Sequence, residues 1–368
     1  MKPAFLLLLV VHAPPPKDDA AAVAVLQKMG VELFRDGKQA SRPVVRAVVL
    51  PRPGAGPGAV LPRLAGLPQL RELSMNDAHG LAAKDFVHLE KTTALVGLEL
   101  NRAAVPDEGL ASIGKLAKLE RLLLRTCKAK SAAFKHLAGL KELRTLDLGS
   151  CAGLDDKALA HLEGLSKLET LLLPEAKITD AGLASIAKLS SLRTLDLGGI
   201  ALGDAGVKKL AALKELRSLV LADSKVTDDA LEALAGLPLA ALDLTRTKAV
   251  GKPLAKMRKL LEVKLRETPV TDETLAALAE VPYLRTLDLA FTDIGDAALA
   301  KLAERKTLRR LDLWKTKVTS AGLAHLEGLP VLEKVVVVVV EGGDPAKSVT
   351  PGAVEKLKAA NKGVQVDD

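Results

Sequence analysis

A chain of 368 residues with 53 lysines and arginines against 45 aspartates and glutamates carries a formal charge of +8, too mild a surplus to signify nucleic-acid binding. One Trp, one Tyr and five Phe are too few for stacking platforms or an aromatic cofactor pocket, so Leu and Ala must carry the core. Two cysteines exclude a disulfide framework or a four-thiolate zinc site, and six scattered histidines show no ligand spacing.

Met1 and Lys2 precede an apolar stretch from Ala4 to Val11, followed by His12, Ala13 and Pro14 to Pro16. This layout over residues 1–13 matches an export signal, although Pro14 works against a signal peptidase, and the apolar run is too short to span a bilayer. No later segment reaches about 18 uninterrupted apolar residues, so no membrane span is expected. Residues 14–50 read as an N-terminal cap: an Ala-rich helix over Asp19 to Met29, a strand over Val31 to Phe34, a turn at Asp36-Gly37 and a first rung at Val45 to Leu50. Gly54, Gly56 and Gly58 lie in a Pro-rich turn without the glycine spacing and helix start of a phosphate loop.

From residue 51 to 340 one pattern dominates. L-x-x-L-x-L, with occasional Val or Met in the later slots, starts at Leu70, Leu95, Leu119, Leu143, Leu168, Leu192, Leu216, Leu239, Leu260, Leu284, Leu308 and Leu332, mostly 24 residues apart. Each copy reads as a short strand with period-2 alternation, a turn and a helix. Leu183, Ile186 and Leu189 fall three apart and define the inward stripe of one such helix. Asp107, Asp156, Asp180, Asp204, Asp228, Asp272 and Asp296 recur at the helix start, where a carboxylate can accept free helix amides and meet the positive dipole end. One strand and one helix cannot bury their own apolar faces, so the copies must stack into a curved solenoid: parallel strands on the concave side, helices on the convex.

L-x-x-L-x-L plus a helix at this period resembles the leucine-rich repeat proteins over Val45 to Val340, about four-fifths of the chain. The Asn usual in the family's turn is replaced by Ala103, Cys127, Cys151, Ala176, Ile200, Ser224, Thr247, Thr268, Thr292 and Thr316. Together with the T-D-x-x-L helices, these small, Cys or Thr residues look like the cysteine-containing and ribonuclease-inhibitor-like horseshoes. The resemblance implies a non-catalytic protein-binding scaffold. Some relatives are substrate receptors of ubiquitin ligases, but the F-box they carry is not evident in residues 14–43.

The copy at Leu239 spans only 21 residues and carries Val250-Gly251-Lys252-Pro253 where others have T-D, which predicts a convex leg about one helical turn shorter. Six valines run from Val335 to Val340, and an uncovered valine edge invites aggregation. Residues 341–368 supply a linker and a closing cap: Thr350-Pro351 starts a helix and Gly363 to Val366 adds a last strand.

Alternation turns the residue between the last two leucines of each copy toward the concave solvent side: Ser74, Glu99, Leu123, Asp147, Leu172, Asp196, Val220, Asp243, Lys264, Asp288, Asp312 and Val336. Asp288 and Asp312 then lie side by side, a like-charge pair suited to a cationic partner. Phe291 and Trp314 fall on adjacent rungs near the carboxyl-terminal rim. The candidate binding patch is therefore Lys264, Arg266, Asp288, Phe291, Asp312, Trp314 and Lys315, because aromatics and Arg anchor protein interfaces. The competing structural account has Trp314 packing over its own turn and the Asp row keeping the sheet wet. A catalytic carboxylate pair would need a closed pocket that an open sheet does not offer, so no enzyme and no cofactor are expected. Cys127 and Cys151 stack in one column with parallel side chains, which favours buried free thiols over a disulfide. The expected partner is a protein on the concave face of a monomer. Nucleic acid is disfavoured because the basic residues are dispersed. An exported receptor for an envelope or extracellular polymer is the alternative.

Overall fold

The computed structural model describes residues 17–38, 42–50 and 56–368. The export-signal stretch 1–13 and Gly54 lie outside the described residues. The 24-residue rhythm becomes a single sheet of fifteen strands arranged in sequence order. These are β1 (Val31–Arg35), β2 (Val44–Val49), β3 (Glu72–Met75), β4 (Gly97–Leu100) and β5 (Arg121–Leu123). Next come β6 (Thr145–Asp147), β7 (Thr170–Leu172), β8 (Thr194–Asp196), β9 (Ser218–Val220) and β10 (Ala241–Asp243). The last are β11 (Glu262–Lys264), β12 (Thr286–Asp288), β13 (Arg310–Asp312), β14 (Lys334–Val336) and β15 (Gln365–Asp367). From β2 onward all pairing is parallel, whereas β1 runs antiparallel to β2 and covers the first edge.

The opening leucine of each of the twelve copies is at most 5% exposed, so the repeat leucines form one continuous core. Each such side chain gains about 1.5–3 kcal/mol from burial. Neighbouring rungs supply that burial, as a solenoid requires.

The convex legs are shorter than the apolar stripes suggest. The helix expected over 179–189 reduces to Leu183–Ile186 flanked by turns, and the rungs at Ser131–Gly139 and Lys252–Lys256 carry only 3₁₀ turns. Twenty-four residues must also furnish a strand and two turns, which leaves one or two helical turns for the outer wall. The Leu239 copy has one 3₁₀ turn, Lys252–Lys256, entered through Gly251 at φ 92°, against the eight-residue α-helix Asp272–Ala279 of the next rung.

The first-turn aspartates work differently from the expected caps. Asp107, Asp156, Asp180, Asp204, Asp228 and Asp296 each accept a backbone N–H from the following rung, at Lys130, Thr179, Gly203, Thr227, Gly251 and Thr319. Where that residue is Thr, its hydroxyl also donates to the second carboxylate oxygen, as Thr227 does to Asp204 at 2.7 Å and Thr319 to Asp296 at 2.6 Å. The donor precedes the next rung's helix, so each carboxylate staples two rungs together. The glycines of the helix starts T-D-A-G, G-D-A-G and T-S-A-G fit this contact: a Cβ at Gly182, Gly206 or Gly322 would strike the preceding rung's carboxylate. Helix capping proper falls to the residue before, as where Asp155 accepts from the Ala158 N–H and Thr319 from that of Ala321.

In the turn column, the hydroxyls of Thr247, Thr268, Thr292 and Thr316 donate to the carbonyl three residues back in their own rung, at Leu244, Leu265, Leu289 and Leu313. Cys127 and Cys151 are free and buried in the same column, and the Cys151 Sγ lies 3.1 Å from the Leu124 carbonyl oxygen. The adjacent Cys127 thiol and burial both push the Cys151 thiol up, so it is a poor thiolate.

At the far end β15 pairs with β14, Val335 and Val337 are buried, and Val339 bridges to Val349. Helix Pro351–Ala360 closes the stack. Its C-terminal neighbour Asn361 accepts from the Gly328 N–H (2.7 Å) and donates to the Leu326 carbonyl (2.8 Å). The valine edge is therefore covered along its inward face. Val338 and Val340 remain exposed at 38% and 41%.

Candidate binding surface

Strands three residues long with a buried centre leave their two end residues half-buried on the concave side, as Thr286 and Asp288 flank Leu287. Register then sets the column Lys264, Asp288, Asp312, Val336 on successive strands. Strand neighbours lie about 4.8 Å apart, so Asp288 and Asp312 adjoin. Lys264 turns back to Asp243 (3.4 Å) and Glu262 (3.7 Å).

The strand aspartates have a structural task that sequence reasoning did not find. Asp288 accepts from the Ala290 N–H and Asp312 from the Trp314 N–H, both at 2.9 Å. Asp147, Asp196 and Asp243 do the same two residues on, at Gly149, Gly198 and Thr245. These Asx-type turns lead the chain out of the strand, and the residue after them takes the left-handed conformation. The signal was present as Asp at a fixed distance before the recurrent turn. Asp147 is almost fully buried and also accepts from the Arg125 Nε at 2.6 Å, which raises the arginine's proton affinity.

That left-handed position recurs rung after rung: Arg102, Thr126, Ser150, Glu175, Gly199, Asp223, Arg246, Glu267, Phe291 and Lys315 all have positive φ. Each projects from the carboxyl-terminal rim. Phe291, at φ 57°, is the aromatic in a row otherwise made of polar residues and one glycine. The residue is 37% exposed, with the Arg266 Cζ 4.5 Å and the Lys315 Nζ 5.0 Å from the ring centroid. Two exposed cation–π contacts are worth about 0.5–1 kcal/mol each and hold the ring in place. The Phe291 N–H donates to the Trp314 carbonyl at 2.8 Å, which ties the two aromatic rungs together, and Trp314 itself is half-buried. Arg266 also faces Glu267 at 3.7 Å.

Burial pushes the Asp288 carboxyl up, and nearby Asp312 and Asp243 add to this, while the Ala290 N–H and Arg266 oppose it. The structure thus gathers Arg266, Asp288, Phe291, Asp312, Trp314 and Lys315 at one end of the concave face, with Lys264 on the Arg266 rung but engaged with Asp243 and Glu262. Beside Val336 of the concave column it adds Val338, which the valine run had concealed. Val338 sits 24 residues on from Trp314 and continues its column into an exposed apolar strip. Among the described residues no group of three or more His, Cys, Asp or Glu is arranged to hold a metal ion, and no helix is long and apolar enough to cross a membrane.

Residues 188–211 and 282–303 match the Leucine Rich repeat family model. No curated protein matches the chain in sequence. Among solved structures, an internalin of Listeria monocytogenes is similar over 95% of this chain and 95% of its own, with TM-score 0.64 and 19% identity. A leucine-rich repeat protein of Leptospira interrogans is similar over 87% of this chain and 81% of its own, with TM-score 0.56 and 21% identity. A TLR13 solved in complex with a single-stranded RNA is similar over 84% of this chain and half of its own, with TM-score 0.53 and 17% identity. At these identities the likeness shows the fold: a leucine-rich repeat solenoid.

Proposed function

We propose that this chain is a non-catalytic scaffold that binds another protein on the C-terminal part of its concave face. Leucine-rich repeat proteins are typically protein-binding scaffolds, which supports the general reading. The specific surface is Lys264, Arg266, Asp288, Phe291, Asp312, Trp314 and Lys315, extended by Val336 and Val338. The observation that carries it is Phe291: a partly exposed ring on a projecting left-handed residue, where the other rungs place polar residues or glycine, braced by two cations. Left-handed backbone costs a non-glycine residue about 1–3 kcal/mol, which the two exposed cation–π contacts offset only in part. A rigid sheet also spares a partner the ordering cost of loops. Arg and aromatic anchors beside a carboxylate pair fit a partner with an apolar patch rimmed by basic groups.

The Thr and Cys turn column supports kinship with the cysteine-containing and ribonuclease-inhibitor-like horseshoes, although the short convex legs fit it less well. We read the chain as an exported monomer; N-terminal sequencing of the mature protein tests the export signal and light scattering the monomer. For the surface, affinity capture from native extract is run with wild-type bait, with Phe291→Ala/Trp314→Ala bait, and with His136→Ala on the convex side as control. A protein held by wild type and His136→Ala but lost from the double variant is the expected outcome. Equal recovery on all three baits overturns the assignment.

A further inference from the structure

The two shortest repeat intervals are consecutive, and both involve the Leu239 copy: 23 residues lead into it and 21 lead out. The first deletion falls in the turn before β10. Neighbouring rungs cross that turn with two residues between the flanking apolar side chains, Lys214-Glu215 between Leu213 and Leu216 and Arg258-Lys259 between Met257 and Leu260, whereas here Pro238 alone separates Leu237 from Leu239. β10 nevertheless keeps its register with β9 and β11. The strand therefore stays in the sheet while its leading turn is withdrawn, and a groove of about 470 Å³ opens at the N-terminal ends of these strands.

The floor of this groove is small and uncharged: Ala235, Gly236, Leu237 and Pro238. Its walls carry Lys214, Arg217, Lys256, Arg258 and Lys259 against a single carboxylate, Glu215. At two equivalent positions along this rim the cation is neutralised one rung on, Arg144 by Glu169 at 2.5 Å and Arg309 by Glu333, whereas Arg193 and Arg285 are each followed one rung on by another arginine. The position one rung on from Arg217 is Ala240, whose N–H donates to the Arg217 carbonyl as that of Glu169 does to Arg144. The next is Leu261. Among the described residues Arg217, Arg258 and Lys259 have no ion pair, while Lys256 pairs with Glu232.

We propose that this groove is a second binding site, for an acidic segment of polypeptide. Arg217 and the Arg258-Lys259 pair stand on either side of β10, two strand spacings or about 10 Å apart, so one ligand carrying several anions engages both walls. Guanidinium forks pair bidentately with carboxylates. The apolar floor accommodates the methylene stems of glutamates, which distinguishes a peptide from a bare oligophosphate. The site lies at the N-terminal ends of the strands, opposite the rim that carries Phe291 and Trp314, so it stands or falls independently of the concave reading.

The test is fluorescence anisotropy of a fluorescein-labelled hexaglutamate against the full chain. We expect saturable binding that weakens as salt rises from 50 to 200 mM, and at least a tenfold loss in Arg217→Gln/Arg258→Gln/Lys259→Gln. The control Lys128→Gln/Lys177→Gln/Lys225→Gln removes the same charge from exposed residues on the opposite rim and is expected to bind within twofold of wild type. Circular dichroism melts confirm that both variants fold. Equal loss in both triple variants overturns the proposal in favour of diffuse attraction. Binding of tripolyphosphate at this groove without binding of the peptide overturns it in favour of a phosphate ligand. No saturable binding by wild type overturns it outright.

Discussion

Removing the Asp204 side chain tests whether the carboxylate ladder holds the rungs together. Asp204→Ala deletes an acceptor used twice, by the Thr227 N–H at 2.8 Å and the Thr227 hydroxyl at 2.7 Å, in a partly buried setting. Hydrogen bonds to a charged group are worth about 1.5–3 kcal/mol each, and partial solvent access selects the lower end. The lost interaction with the helix start adds about 0.3–1 kcal/mol, so the total is about 3.5 kcal/mol. Asp204→Asn keeps one acceptor oxygen and loses mainly charge, about 1 kcal/mol. Urea unfolding followed by circular dichroism is the assay. With a slope of about 3 kcal/mol per molar for a chain of this size, the Ala variant's midpoint falls by about 1 M and the Asn variant's by about a third of that. The weakened rung contact also broadens the transition, because a solenoid's cooperativity passes from neighbour to neighbour. Asp293→Ala removes an ion pair with Lys317 at 2.8 Å whose carboxylate is 85% exposed, and is expected to do almost nothing. Equal midpoints for Asp204→Ala and Asp293→Ala refute the staple.

Three further outcomes follow from other rungs. The Ser224 hydroxyl is buried with no hydrogen-bond partner among the described residues, so Ser224→Ala is expected to stabilise the fold by about 1 kcal/mol, read as a higher melting temperature. Thr126 is β-branched at φ 66°, and Thr126→Gly should gain about 0.5–1 kcal/mol as relieved strain outweighs the freer unfolded chain, read in the same urea series. The Asp288 carboxyl is pushed up in the folded state, so folding favours its protonated form. Its ionisation costs stability above the folded-state value, and that cost disappears as pH falls through it. Asp288→Asn should therefore raise the melting temperature at pH 7 and leave it unchanged at pH 3. Glu90 and Glu163, held down by Lys115 and Lys188 and by serine hydroxyls, titrate the opposite way and lose their contribution on acidification in both proteins. An Asp288→Asn gain that persists at pH 3 counts against the assignment.

The sheet, its strand order and its buried leucines were legible because a period of 24 leaves one way to bury so many leucines. Contacts between rungs were harder to read. Asp204 looks like a cap when its own helix is considered alone, and its role appears only when Thr227 is placed beside it. Asp288 and Asp312 were read as free acids because L-D-L was weighed alone, without the fixed distance to the recurrent turn that marks a carboxylate turning back to the second following N–H. The column arithmetic brought Arg266, Phe291 and Lys315 near each other, but it missed Val338, because the valine run suggested a hazard and not a surface. The basic groove escaped notice for a related reason: the short interval after Leu239 was interpreted as a lost helical turn, and the missing residue before it went unweighed.

The carboxylate ladder points one way along the chain, since each acid grips the amide that comes about 23 residues later. A coil duplicated or excised whole presents its new neighbours with the same donor and acceptor, so such a protein can be lengthened or trimmed by entire units with no junction to redesign. A change of one or two residues inside a unit shifts the loops out of step instead. The Leu239 coil carries two such changes, and there the otherwise monotonous wall acquires a feature that sets this molecule apart.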